Sequence, residues 1–259
     1  MYTKVKIFLL AVFALVCSLR LSGQTATEIS DKTMDMISFN SMEMTSTLKI
    51  IDSKGRERIR KMTTSSDEFN GINKTLMRFT SPSDISGTAM LVFDYDRKDD
   101  DMWIYLPALR KTRRIVSSEK GKSFMGSEFS NADMSRPNTE DFTNKILAEV
   151  TFMNQPCWKL ESKCRNEDIE DIYGYSRKVA WISKNNYLCY KIEYYDYDDQ
   201  LVKVQTLADY KKQSNGKYFA YNMEMENLQN GRRSVLNVDH FSLGSKYPES
   251  HYSSAMLSK

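Results

Sequence analysis

From Met42 onward the chain alternates apolar and polar positions with a period of two. At that spacing, successive side chains of an extended chain point to opposite faces. Met42, Met44, Leu48 and Ile50 share one parity and run into the turn Asp52-Ser53-Lys54-Gly55, after which Arg56, Arg58 and Arg60 alternate with Glu57, Ile59 and Lys61. This predicts a hairpin. Further strand-like runs fall at 75–80, 89–95, 102–106, 112–117, 145–152, 158–163, 177–183, 188–195, 201–210, 218–225 and 233–241. Turn-forming clusters separate them, among them Asn154-Gln155-Pro156, Asn185-Asn186, Asp198-Asp199-Gln200, Asn215-Gly216 and Asn230-Gly231. Asn-Gly is the strongest short hairpin signal, because both residues tolerate positive φ. Helical spacing appears before the alternating region, where Ile29, Met34 and Ile37 fit a short amphipathic helix. Pro82-Ser83-Asp84 can start a turn that Gly87 ends. The pattern predicts one mainly β domain of about ten to eleven antiparallel strands. Such a sheet should curl toward a barrel to hide its edges.

The first residues have a different character. Lys4 and Lys6 precede an apolar run at 7–16, the layout of a secretory signal. That run is too short to cross a bilayer, which takes about 20 apolar residues in a helix. Cleavage is predicted after Leu21-Ser22-Gly23, giving a signal peptide at 1–23, a domain at 24–259 and a periplasmic location. Cys17 offers an alternative, lipid anchoring, although Ala14-Leu15-Val16 makes a weak lipidation motif. The leader also changes the charge balance. The whole chain carries 37 basic and 34 acidic residues, but Lys4, Lys6 and Arg20 lie in the leader and no acid does, so 34 of each remain. A neutral domain has no general field for nucleic acid or an anionic surface, so charge can act only locally. Three cysteines follow the leader: Cys157, Cys164 and Cys189. An oxidising compartment allows one disulfide, with Cys157 and Cys189 in strand-like runs that could be neighbours. Three buried, unpaired thiols are the other reading. Their spacings match no zinc pattern.

Catalytic signals are weak. The acidic stretch from Asp94 to Asp101 resembles a calcium loop, but an EF-hand would need Gly where Asp99 stands and Glu where Tyr105 stands. A solvated hairpin tip explains it better. His240 follows Asp239 within a strand, where neighbours face opposite sides, and His251 lies in a polar tail. Neither has the oriented partner that nucleophilic catalysis needs. The chain is therefore read as a non-enzyme without a cofactor or metal. Its 15 methionines are more suggestive. They fit either ordinary core or a deformable apolar wall for varied guests.

The richest segment runs from Asp99 to Met134. It holds Trp103, Tyr105 and Pro107 at a strand end, the basic run Arg110, Lys111, Arg113 and Arg114, and then Phe124, Met125 and Phe129 between glycines. Residues 123–134 read as a flap over an apolar space, with hinge freedom at Gly121 and Gly126. Phe79, Leu91, Phe93, Trp103 and Tyr105 are predicted to line that space, with Phe124, Met125 and Phe129 contributed by the flap. Arg110, Arg113 and Arg114 are placed at its mouth, to meet a lipid phosphate or to hold the flap by its backbone. Arg113 and Arg114 face opposite sides of a strand, so at most one points inward.

Three stretches carry a family resemblance: TLKIIDSKGRERIR, LMRFTSPSDISGTAML, and WIYLPALRKTRRI followed by SFMGSEFSNADM. They resemble the outer membrane lipoprotein-sorting family, part of the LolA/LolB-like superfamily of periplasmic lipoprotein carriers. LolA-type carriers share the Trp-x-Tyr-x-Pro strand end, which places Trp103, Tyr105 and Pro107 at equivalent positions. The resemblance implies an incomplete, open antiparallel β-barrel with a helical lid over an apolar cavity. It implies lipoprotein or other lipid cargo, transient membrane contact and a monomer. An accessory interaction module of an RND-type inner-membrane exporter is the alternative.

Overall fold

The computed structural model describes residues 24–95 and 98–259. The predicted leader at 1–23, its cleavage point and Cys17 lie outside the described residues. Helix α1 spans Ala26–Ile37. Its start is fixed by a capping box, in which Thr25 Oγ1 accepts from the Glu28 amide and Glu28 Oε2 accepts from the Thr25 amide. Ile29, fully buried, marks its inward stripe.

The strands are β1 Met42–Ile51, β2 Glu57–Phe69, β3 Ile72–Ser81, β4 Ala89–Asp94, β5 Asp101–Leu106 and β6 Lys111–Ile115, followed after a long connection by β7 Phe142–Phe152, β8 Gln155–Cys164, β9 Arg177–Ser183, β10 Cys189–Tyr195, β11 Leu201–Lys212, β12 Tyr218–Asn227 and β13 Arg232–Leu243. All pair antiparallel in one sheet of order β6-β5-β4-β3-β2-β1-β13-β12-β11-β10-β9-β8-β7. The sheet is mainly β, open and lidded, as predicted, but it has thirteen strands and not ten or eleven. Every alternating run in the sequence is a separate strand, and none merges with a neighbour. The Asn-Gly turns join β11 to β12 and β12 to β13, with φ of +86° at Gly216 and +67° at Gly231.

The two faces of the sheet are covered by different parts of the chain. On the inner face, Leu48, Ile50, Met62, Met77, Phe79, Met90, Val92, Met102 and Ile104 pack with Phe124 and Phe129 of the β6–β7 connection. Further round the same face, α1 seats Ile29 against Trp158, Leu160, Ala180 and Ile182. Phe39, just past α1, meets Phe219 and Phe241 with ring centroids 5.6 and 5.1 Å away. Two short helices complete this cover: α2 at Ser117–Lys120 and α3 at Glu167–Tyr173. The lid is thus only partly helical, since most of 121–138 is turn and bend. Gly121, expected as a hinge, has a packing role. A Cβ there would lie 2.8 Å from the Gly174 amide nitrogen, at the end of α3.

On the outer face of β2–β5 lies the C-terminal tail. Tyr252 and Leu257 bury themselves against Leu76, Ala89 and Leu91. The Arg78 guanidinium donates to the carbonyls of Leu257 and Met256 at 3.2 and 2.7 Å. His251 stacks on Tyr247 with centroids 3.9 Å apart and approaches Ser65 Oγ at 3.3 Å.

The three described cysteines are free and buried. Cys157 pairs in register with Ser183 and Cys189 with Ile182. They flank β9 on opposite faces and cannot be bridged. Burial pushes the thiols of Cys164 and Cys189 up to about 12 and raises that of Cys157. Since the thiolate is the reactive species, Cys157, Cys164 and Cys189 in the native protein should resist alkylation by iodoacetamide at pH 8 and should label only in denaturant. Rapid labelling without denaturant would show that the sheet does not protect them.

The tail is also expected to respond to acid. Burial and the nearby Arg78 charge hold His251 below its ordinary value, with Glu43 acting weakly the other way. A docked tail therefore resists a proton that a released tail accepts below about pH 6.5. Docking stability is unaffected well above that pH and is lost progressively as pH falls through it. Protection factors in 249–258, corrected for the intrinsic pH dependence of amide exchange, should fall as pH is lowered from 7.5 to 5.5, and His251→Gln should remove most of that loss. An equal loss of protection in the variant would assign the effect to other groups.

Candidate ligand-binding interior

The inner face owes its character to strand parity. Met62 on β2, Met77 and Phe79 on β3, Met90 and Val92 on β4, and Met102 and Ile104 on β5 all point to one side and are buried. Met223 and Met225 continue the lining on β12. Methionine is unbranched and pliable, so a wall rich in it can re-pack around different shapes. This space is filled by the connection between β6 and β7. Phe124 is 1% exposed and Phe129 3%, and Phe124 meets Phe79 with centroids 5.8 Å apart. A cavity of about 40 Å³ lies beside it, among Gly121, Ser130, Tyr173, Tyr194 and Met225.

The plug is apolar in its middle and tied by polar bonds along one flank. Glu128, only 7% exposed, is the centre of these ties. One carboxylate oxygen accepts from Asn227 Nδ2 at 2.9 Å, and the other faces Arg232 Nε at 3.0 Å as an ion pair, angled away from hydrogen-bond alignment. The Glu128 amide donates to Ser234 Oγ at 2.9 Å and its carbonyl accepts from Lys203 Nζ at 2.9 Å. Arg232 also donates to the Gly126 carbonyl at 2.8 Å, and Arg60 donates to the carbonyl of Met125. Met125 and Gly126 both have positive φ, at 50° and 75°. That turns their carbonyls out to these two guanidinium groups. At the other end of the connection, Arg113 pairs with Glu119 of α2 at 2.6 Å.

One charge in the interior has no such tie. Lys178 on β9 shares the inner face with Cys164 and Tyr194. Among the described residues its ammonium meets no carboxylate at ion-pair distance and lies 5.0 Å from the Phe142 ring. Burial lowers its pKa, with the Asp133 charge opposing. Burial also raises Tyr175 and Tyr194 well above the usual tyrosine value. Among the described residues no group of three or more His, Cys, Asp or Glu could hold a metal, and no helix is long and apolar enough to cross a membrane.

This architecture matches solved structures along nearly its whole length. An outer membrane lipoprotein-sorting domain from Vibrio parahaemolyticus is 29% identical, with a TM-score of 0.83 over 90% of this chain and 98% of that one. A DUF1329 family protein from Desulfovibrio piger is 26% identical, with a TM-score of 0.82 over 90% and 97%. A LolA superfamily protein from Nitrosomonas europaea, 18% identical, shares the fold with a TM-score of 0.72 over 90% and 100%. A family model described as "-like: Uncharacterized protein" matches residues 71–259. The chain belongs to the family of that model, and its fold is LolA-like. No curated protein matches its sequence.

Within the LolA-like frame, the predicted lining residues separate into two groups. Phe79, Phe124 and Phe129 come together on the inner face, with Met125 at their edge. Leu91, Phe93, Trp103 and Tyr105 point the other way, to the outer face beneath the C-terminal tail. Neighbouring strand residues alternate, so Met90, Val92, Met102 and Ile104 take the inner positions instead. The basic run lies along exposed edge strand β6. Arg110 sits in the turn before it at φ 48°. Arg113 is opposite inward-facing Ile104, whereas Arg114, opposite Trp103, pairs with Asp101 on the outer side. The residues that tie the connection down, Arg60, Lys203, Asn227 and Arg232, were missed in the sequence. They are far apart along it, and no local spacing joins them.

If these ties hold the plug, weakening them should free it locally. Glu128→Gln and Arg232→Gln should each speed hydrogen exchange in 123–134 by about tenfold, the effect of losing roughly 1.4 kcal/mol from charge-assisted bonds. Exchange in β12 and β13 should stay unchanged. Unaltered exchange in the flap would mean that its apolar contacts alone hold it.

Proposed function

We infer that this chain is a periplasmic, non-enzymatic carrier that shelters the acyl chains of a lipoprotein or another lipid against the inner face of its sheet. One observation carries the reading: the apolar, methionine-rich interior is occupied by the chain's own connection, through Phe124 and Phe129, and that connection is fastened by polar bonds that can be exchanged. Each acyl CH₂ exposed to water costs about 0.8 kcal/mol, so a multi-chain lipid crosses an aqueous compartment only when enclosed. The likeness to the lipoprotein-sorting domain from Vibrio parahaemolyticus supports the same reading. In it, Phe79, Met90, Val92 and Met102 contact cargo once Phe124, Met125 and Phe129 swing aside, and Arg60 and Arg232 re-close the flap.

The test is native mass spectrometry with lipid extraction on protein purified from periplasm, together with binding of a fluorescent fatty-acid probe. The wild type should carry lipid, or should bind the probe with saturation and with altered hydrogen exchange in 123–134, and Glu128→Gln should take up probe about tenfold faster. Absence of lipid and of probe binding in both proteins would overturn the carrier. A stable complex with an inner-membrane exporter, again with an empty interior, would move the assignment to a docking module. Exposed edge strand β6, with Lys111 and Arg114, offers a surface for that contact.

A further inference from the structure

A pocket of about 610 Å³ opens on the outer face, between β3–β5 and the C-terminal tail. Its floor is Leu91, Phe93 and Trp103, its wall Tyr252, and its rim Lys74, Glu249 and the serines of the tail. Pockets of a few hundred to about 1,000 Å³, with an apolar lining and a few polar groups, are the usual form of small-molecule sites. Nothing in the carrier reading uses this one, because the whole thickness of the sheet separates it from the flap.

Two features define what would fit. The first is charge. Lys74 has a side chain only 11% exposed, and its ammonium lies 4.8 Å from the centre of the Phe93 ring. Its counter-charge, Glu249 Oε1 at 2.6 Å, comes from the tail and is itself half-exposed. The cation is thus built into the strand, whereas its anion is borrowed from a short 3-10 turn at Glu249–His251. The second is shape. Phe93 and Trp103 meet edge to face at 72° with centroids 5.1 Å apart. The floor is therefore a corner and not a flat stacking surface, and the face of Phe93 is already taken by Lys74. A corner of Leu, Phe and Trp suits a flexible alkyl chain better than a planar ring or a sugar.

We propose that this pocket binds a single-chain anionic amphiphile, its alkyl chain on Leu91, Phe93 and Trp103 and its carboxylate or phosphate oxygen at Lys74 in place of Glu249. The tail supplies both the competing carboxylate and the Tyr252 wall, so binding exchanges one anion for another at Lys74 without leaving a buried cation alone. The site is independent of the flap and can be filled while the interior is closed.

Two-dimensional NMR of the mature protein, titrated with laurate and separately with uncharged dodecyl maltoside, tests this. Laurate should shift the Trp103 indole and the amides of 249–254. Lys74→Met should weaken laurate at least tenfold and leave the maltoside unaffected. Glu249→Gln, which removes the competing anion, should tighten laurate about threefold or more. The opposite signs matter: if the Lys74–Glu249 pair served only to hold the tail, both variants would weaken binding. Shifts confined to 123–134 would overturn the outer site and leave the carrier reading standing. Shifts confined to the tail, with the flap silent toward every probe, would do the reverse.

Discussion

The connection from β6 to β7 has to travel from one edge of the sheet to the other, and most of the molecule follows from that constraint. The strand order places β6 and β7 at opposite ends of thirteen strands, with the chain's first strand, β1, and its last, β13, paired in the middle. A right-handed twist accumulated over so many strands curls the sheet and brings its two edges toward each other across a concave face. The connection between them must pass over that face. Residues 116–141 therefore form a lid because of the topology, before any side chain is considered. The side chains then decide what kind of lid it is. Phe124 and Phe129 make it a plug, and Glu128 makes it one with a fastening.

The constraint also explains why the sheet has two buried faces in its first half. An antiparallel sheet usually has one wet face. Here α1, the connection and α3 take the inner side, and the C-terminal tail takes the outer side of β2–β5. The exposed edge strands differ from this buried centre. β6 is exposed in every residue but Ile115, and in β7 only Phe142 is fully buried. Charged residues such as Arg113, Arg114, Lys145 and Glu149 populate these edges, the usual means of discouraging edge-to-edge association.

Strands and turns were readable in the sequence because period-two alternation and Asn-Gly pairs are local signals. The thirteen strands exceed the ten to eleven expected, although all thirteen runs are present in the pattern. The short helix α3, Glu167–Tyr173, was not readable: seven acidic-rich residues carry no clear helical stripe. Facing was the larger loss. On β4 and β5 both parities are apolar, Met90 and Val92 as much as Leu91 and Phe93. Where both faces are covered, alternation cannot say which set looks inward. The aromatic residues Phe93, Trp103 and Tyr105 drew attention as a cavity lining, yet the inner wall is made of the less conspicuous methionines between them. The fastening at Glu128 is invisible for a different reason. It joins residues 60, 128, 203, 227 and 232, which only the sheet order brings together.

On the proposed reading, in which cargo displaces the flap, the balance between plug and guest is close. Exposing Phe124 and Phe129 costs about 2–3 kcal/mol each by area. The bonds from Arg60, Lys203, Asn227, Ser234 and Arg232 to the flap contribute about 1 kcal/mol each after their exchange with water is counted. Opening therefore costs about 10 kcal/mol. A single alkyl chain of about a dozen carbons recovers nearly the same amount when it takes the vacated face, at about 0.8 kcal/mol per CH₂. A one-chain guest would only just hold the flap open, and the flap would expel it readily. A guest with two or three chains would hold it firmly. The same arithmetic sets the direction of release: an acceptor need supply only a somewhat better apolar environment, because closure of Phe124 and Phe129 over the emptied sheet provides the rest.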